Sequence, residues 1–221
     1  MATEPLTPTE AHVERVAASV REGGVVVAPS DTNMALTVDP DYPSAIDRVY
    51  DLKERPEHKP LTLFVREPTD WRRFASHPDP ALVDALAEAF WPGPLNLVLD
   101  RDAPDLDDRC AKSGTVSVGC LSNPVWRDLA GRVGGPLAMT SANRSGTVPD
   151  DRLVDVDLAM AHVGEGADYV LGGEPEGTTR ASTILSLAAG EPGQGTVLRR
   201  GDLTTDALDA AAPLAVAPVD G

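Results

Sequence analysis

Residues 50–64 read YDLKERPEHKPLTLF, and the fold turns on how this stretch is cut. A helical pattern from about Pro43 puts Ile46, Val49 and Tyr50 on one face and stops at Pro56, which cannot continue a helix. A short apolar run, 61–65, then has the length of a buried strand. The connection carries Lys53, Arg55 and Lys59 within seven residues, in a chain of net charge −16. Cations gathered on a helix-to-strand connection are placed to hold an anion over a sheet edge. The plain alternative is a solvated helix end, because Glu54 and Glu57 interleave with the bases and cations suit a helix C-terminus.

Outward from this stretch, helices and strands alternate. Upstream, residues 9–22 place Val13, Val16, Ala17 and Val20 on one face, with Thr9 as N-cap and Gly23-Gly24 as stop. A buried strand at 25–28 runs into the polar loop 29–33, and 39–41 break the chain. Downstream come a short helix around Trp71 and Phe74, a longer one through Leu82, Val83, Leu86 and Phe90, and a strand at 95–99. Residues 101–112 read as a charged loop. A strand follows at 115–118, a helix at 124–132, and a strand at 136–139 that leads into TSANRSG, 140–146. A helix near 154–162, a strand at 169–171, a loop at 172–179 and strands at 183–187 and 196–198 complete the pattern. Several strands are joined too closely for parallel crossovers, which predicts an α/β (α+β) fold with a mixed sheet. The reading gives a single domain over 1–205 and a poorly ordered tail over 206–221, Ala/Pro-rich in its last dozen residues.

Composition narrows the function. Strong acidity opposes broad binding to nucleic acid or anionic membrane, though it leaves room for a local basic pocket. The first ten residues are polar, and no run approaches membrane-spanning length, which predicts a cytoplasmic chain without a membrane partner. Cys110 and Cys120 have no nearby Cys/His partners, so no metal site of the chain's own is expected. No Walker loop, dinucleotide fingerprint, zincin helix or nucleophile elbow is present. The candidate chemistry is hydroxyl, amide and cation: Ser30, Thr32, Lys53, Arg55, Lys59, Ser141, Asn143, Ser145, Ser182, Thr183 and Arg199. These types suit charge neutralisation of a phosphate. Residues 140–146 are the strongest stretch, since small residues after a strand expose backbone N–H groups as anion-cradling loops do. A Ser/Asn/Gly-rich turn is the alternative.

Seven pieces in order resemble the YrdC-like family, the threonylcarbamoyl-AMP synthases of tRNA modification. They are Ser30-Asp31-Thr32, Lys53-x-Arg55, Lys59-Pro60-Leu61, Trp91-Pro92-Gly93-Pro94-Leu95, the 140–146 stretch, Ser182-Thr183-Ile184 and Leu198-Arg199-x-Gly201. The resemblance implies a twisted mixed sheet flanked by helices with an open, positively lined concave cavity. It implies ATP, bicarbonate and L-threonine as substrates, magnesium with the nucleotide, and a downstream tRNA-modification complex. Carried over by position, Lys53 and Arg55 are the catalytic candidates. Lys59, Ser141, Asn143, Ser145 and Arg199 are the nucleotide or phosphate candidates, and Thr32 and Ser182 the amino-acid candidates. The chain also departs from the family. Asn33-Met34-Ala35 replaces Val-Tyr-Gly, and Gly119 replaces an arginine that would sit in the site, with Arg144 and Arg180 as candidates for the missing charge. A catalytically divergent nucleotide-binding paralogue, or one serving another carbamoylation pathway, is the alternative function.

Overall fold

The computed structural model describes residues 4–149, 152–173, 178–188, 193–212 and 214–217. Helix α1 (Glu10–Arg21) starts where the Thr9 hydroxyl accepts from His12 N, and buries Val13, Val16, Ala17 and Val20. Strands β1 (Val26–Pro29) and β2 (Met34–Val38) form an antiparallel hairpin, with Val26 opposite Thr37 and Pro29 opposite Met34. The sequence reading had no strand at β2. All five of its residues are buried, so the segment shows none of the in–out alternation that marks a strand.

Helix α2 (Pro43–Lys53) leads to β3 (Thr62–Phe64), and its end is set by Glu54, which adopts the left-handed conformation at φ 50°. A 3₁₀ turn (Pro68–Arg73), β4 (Ala75–Ser76), α3 (Pro80–Phe90) and β5 (Gly93–Arg101) follow. The charged 101–112 segment is organised by its own arginines. Arg109 clamps Asp107 through Nε and Nη2, at 2.9 and 2.6 Å, and also reaches Asp47 on α2. Strands β6 (Ala111–Lys112) and β7 (Thr115–Cys120), helix α4 (Pro124–Val133), strand β8 (Leu137–Ser141), helix α5 (Val156–Val163) and strand β9 (Tyr169–Val170) come next. Strands β10 (Thr183–Ser186) and β11 (Gln194–Arg199), helix α6 (Thr205–Ala211) and strand β12 (Ala215–Ala217) end the described chain.

Among the described residues twelve strands join one mixed sheet, in the order β12-β11-β10-β5-β7-β3-β8-β2-β1-β9, with β4 on β5 and β6 on β7. The pairs β1/β9, β3/β7, β5/β10 and β11/β12 are parallel and the others antiparallel, as short connections require. On one face α1 and α4 pack with Val26, Ala28, Ala35, Phe64 and Met139. On the other, α2, α3, α5 and α6 close a larger core around Val27, Leu36, Leu63 and Leu97. Two helices cover only part of the first face, and the uncovered part over β5, β7 and β10 is concave.

The segment set apart as a tail, 206–221, differs from that reading over 206–212 and 214–217. Leu208 is fully buried in the larger core with Ala212 and Leu214, and β12 pairs in parallel with β11 from Gln194↔Ala215 to Thr196↔Ala217. Three apolar anchors dock an Ala/Pro-rich segment whose composition reads as disorder. Residues 218–221 of the expected tail, and 174–177 of the expected 172–179 loop, lie outside the described residues. Among the described residues no helix is long and apolar enough to cross a membrane.

Candidate functional site

A cavity of about 560 Å³ opens on the uncovered sheet face. That volume lies in the range of small-molecule and cofactor sites. Its floor is the sheet itself, through Thr62 and Phe64 of β3, Asn96 and Val98 of β5, Thr115 and Ser117 of β7 and Ile184 of β10. Its walls are the connections that leave β1, α2 and β8, the residues that enter β10 and the end of β11. Of the eleven residues singled out from the sequence, Ser30, Thr32, Lys53, Arg55, Lys59, Ser141, Asn143, Ser145, Ser182 and Arg199 line it; Thr183 does not, and its hydroxyl accepts from Gly201 N at 3.2 Å.

Lys53 ends α2 and is only 1% exposed. Its Nζ donates to the carbonyls of Ser141 (2.5 Å) and Asn143 (2.6 Å), and Ser145 N donates back to the Lys53 carbonyl at 2.8 Å. The helix end and the 140–146 loop are therefore one hydrogen-bonded unit. Burial, reinforced by the like charges of Arg55 and Lys59, lowers the Lys53 pKa to about 7. Arg55 also uses its donors on the frame: Nε reaches the Lys59 carbonyl at 2.8 Å and Nη2 the Pro60 carbonyl at 2.7 Å. Arg199 Nε holds the Ser182 carbonyl at 2.9 Å. Each of the three side chains thus fixes the loop beside it at the cavity wall.

The polar walls are braced in the same way. Ser30 Oγ accepts from the backbone of Thr32 and Asn33 and donates to the Asn33 carbonyl, closing the 30–33 turn. Asn33 Nδ2 donates to Thr32 Oγ1 at 3.1 Å, while its Oδ1 accepts from Val154 N at 2.7 Å. Ser141 Oγ donates to Asn143 Oδ1 at 2.6 Å, and Asn143 Nδ2 donates to the Arg144 carbonyl. Asp31 is not among the lining residues. Its carboxylate accepts from Ser122 N and Asn123 N at the entry to α4, and burial pushes its pKa up against those bonds.

The cavity is charge-segregated. Among the described residues six basic side chains line it, Lys53, Arg55, Lys59, Lys112, Arg152 and Arg199, and no aspartate or glutamate. The chain as a whole carries 35 acidic against 19 basic residues, so chance composition would have supplied several carboxylates. Lys53 is buried, Arg55 and Arg199 are half-buried, and Lys59, Lys112 and Arg152 are exposed; like charges gathered on one cavity repel, and an anionic ligand offsets that repulsion. Lys112 and Arg152 were not found from the sequence. Lys112 sits on a strand that the charged 101–112 stretch concealed, and Arg152 carries no motif.

Gly119 is explained by its neighbours. It lies in register between Asn96 of β5 and Phe64 of β3, on the cavity face. A Cβ built there would stand 2.7 Å from both Asn96 Oδ1 and Phe64 Cε1, so the room an arginine needs is already filled. The candidate replacements do not line the cavity. Arg144 is 57% exposed and 3.9 Å from Glu54, and Arg180 sits beside Asp202. The charge at this position has been lost locally, and Lys112 and Arg152 stand at other walls.

The Sua5/YciO/YrdC family model, described as "Telomere recombination", matches residues 18–201. A threonylcarbamoyl-AMP synthase of Bacillus subtilis is 30% identical over 213 residues, which cover 94% of this chain and 58% of that protein. One from Halorhodospira halophila is 33% identical over 80% of this chain and 91% of its own length. Among solved structures, the H234A/Y235A form of P. abyssi Sua5 superposes with TM-score 0.85 at 23% identity, covering 97% of this chain and 62% of Sua5. The same protein has been solved in complex with L-threonine, with TM-score 0.82, 24% identity and coverage of 95% and 60%. The chain therefore spans about three fifths of the Bacillus relative and of Sua5.

Proposed function

The chain belongs to the Sua5/YciO/YrdC family, and on that premise we propose that it is a nucleotidyltransferase making a carbamoyl-adenylate from ATP, bicarbonate and L-threonine for modification of a tRNA adenosine. The observation that carries the reading is the gathering of Lys53, Arg55, Lys59, Lys112, Arg152 and Arg199 on one cavity in a chain of net charge −16. Such a wall suits a triphosphate and a carbamate, both anionic, and disfavours a neutral metabolite. The relatives' activity and the threonine complex of Sua5 support the same substrates.

In this reaction the threonine amine and bicarbonate condense to a carbamate with loss of water. A carbamate oxygen then bonds to the α-phosphorus of ATP as the bond from that phosphorus to the β-phosphate oxygen breaks, and pyrophosphate leaves. No side chain is arranged as a general base. Catalysis comes from alignment, with Lys53 and Arg55 stabilising charge on the transferring phosphoryl group and on pyrophosphate. Lys59, Arg199 and the 141–145 hydroxyl and amide groups take the remaining phosphate oxygens, and Thr32 and Ser182 the amino acid. Among the described residues the cavity lining offers magnesium no carboxylate, so that lining does not fit a protein-held ion, and no step is assigned to one.

The test is incubation with ATP, bicarbonate and individual amino acids, followed by assay of pyrophosphate and of carbamoyl-adenylate. Threonine-dependent formation of both is expected. Pyrophosphate released without dependence on any amino acid, or none released, overturns the synthase reading.

A further inference from the structure

Asn33 stands where the family has valine, it lines the cavity, and its amide joins two of the cavity's walls. Val154 N donates to Asn33 Oδ1 at 2.7 Å, and a backbone N–H only donates, so the amide atom facing it is the oxygen. The other end is therefore the NH2 group, 3.1 Å from Thr32 Oγ1. That group has no lone pair to offer, which makes the Thr32 oxygen the acceptor in this bond. The hydroxyl proton is left over. Among the described residues no acceptor takes it, although Thr32 is only 3% exposed and lies on the cavity.

We propose that Asn33 is a positioning residue that sets the polarity of Thr32: it fills the acceptor side of the hydroxyl and so turns the proton toward an acceptor oxygen of the amino-acid substrate. The proposal rests on the function given above, in which Thr32 faces the amino acid. With an apolar side chain at 33 the hydroxyl is a free rotor, donor or acceptor as its neighbours allow. With the amide in place it meets a substrate oxygen as a donor, and one of its two lone pairs is already taken. Met34 N also donates to the Val154 carbonyl at 2.7 Å, so this segment keeps a bond to the 30–34 stretch when the side chain at 33 is changed. Polarity can therefore be altered apart from the fold.

The experiment measures binding of L-threonine and ATP by calorimetry, and unfolding midpoints, for the unsubstituted protein, Asn33→Asp, Asn33→Val and Thr32→Val. Asn33→Asp keeps an acceptor for Val154 N but puts an acceptor-only carboxylate against Thr32, which captures the hydroxyl proton. It is expected to weaken L-threonine about 10- to 100-fold, the range for a lost hydrogen bond to a charged group, and to lose little more in the Thr32→Val background. Asn33→Val leaves the proton free and should weaken L-threonine less than about fivefold, while lowering the unfolding midpoint more than Asn33→Asp does. The better-folded variant is thus the poorer binder, the reverse of what a purely structural role gives. Asn33→Val losing as much affinity as Asn33→Asp, or no loss in Asn33→Asp, overturns the assignment. So does an equal or larger loss for ATP, because added negative charge alone acts more on a polyanion than on a zwitterionic amino acid. Failure of the unsubstituted protein to bind L-threonine while binding ATP also overturns it, and failure to bind ATP overturns the function beneath it.

Discussion

ATP is expected to bind this chain progressively more weakly as the pH rises above neutrality, and Lys53 sets the size of the effect. Burial, then Arg55 and Lys59, bring its pKa to about 7 in the unliganded protein. A polyphosphate beside the amine favours the ammonium and returns its pKa toward the ordinary value near 10.4. Between those values each binding event takes up a proton. Affinity then falls by the factor 1 + 10^(pH−7), about fourfold at pH 7.5 and about 100-fold at pH 9, a drop of about 25-fold or ~1.9 kcal/mol across the interval. The interval lies above ionisation of the nucleotide's terminal phosphate, near 6 for a phosphate monoester. It also lies below the two thiols, which burial pushes to about 12 for Cys110 and about 11 for Cys120. Calorimetry at four pH values in two buffers of different ionisation enthalpy reads affinity and proton uptake together. Uptake should approach one proton per site at pH 9, and Lys53→Met should abolish the slope. Stability moves the other way. The unfolded chain holds more protons between about 7 and about 10.4, so this lysine's contribution to stability rises with pH across that window. Constant affinity with no proton uptake would refute the claim that the buried amine is close to neutral.

Other expectations follow from single contacts. Asp31→Ala should lower stability by about 2–3 kcal/mol, by stripping the carboxylate from Ser122 N and Asn123 N, while Asp31→Asn, which keeps an acceptor, loses less than half of that in urea denaturation. Ending the chain before Thr204 uncovers the sites of Leu208, Ala212 and Leu214 and should cost about 3–6 kcal/mol; an unchanged unfolding midpoint would mean α6 and β12 contribute nothing. Gly119→Arg, which restores the family residue, should destabilise by about 1–3 kcal/mol through overpacking against Asn96 and Phe64, with no gain in adenylate formation. A faster variant would show that the two side chains move aside at little cost.

Much of this arrangement was legible before the structure. The amphipathic face of α1, the stop after α2 and the polar stretches after strands all state their roles through spacing, and ten of the eleven candidate residues meet on one cavity. Three things were not legible, each for a physical reason. β2 is buried on both faces and α6–β12 are anchored by few residues, so neither shows a period. Lys112 and Arg152 reach the cavity through tertiary placement, which local sequence does not encode. The pairing of Gly119 with Asn96 spans 23 residues and exists only through sheet register. From the sequence, Gly119 is a deletion of charge; in the sheet it is one half of a contact.

Asn33 has a consequence for how a ligand would be received. Its amide joins Thr32 to Val154, Met34 N donates to the Val154 carbonyl, and Ala142 N donates to the Met34 carbonyl. Three segments distant in sequence, at 32–34, 142 and 154, are thereby laced into a single unit at the cavity mouth. Whichever wall a ligand touches first, the other two are already in place, and the entropy of ordering them is lost when the chain folds instead of when the ligand arrives.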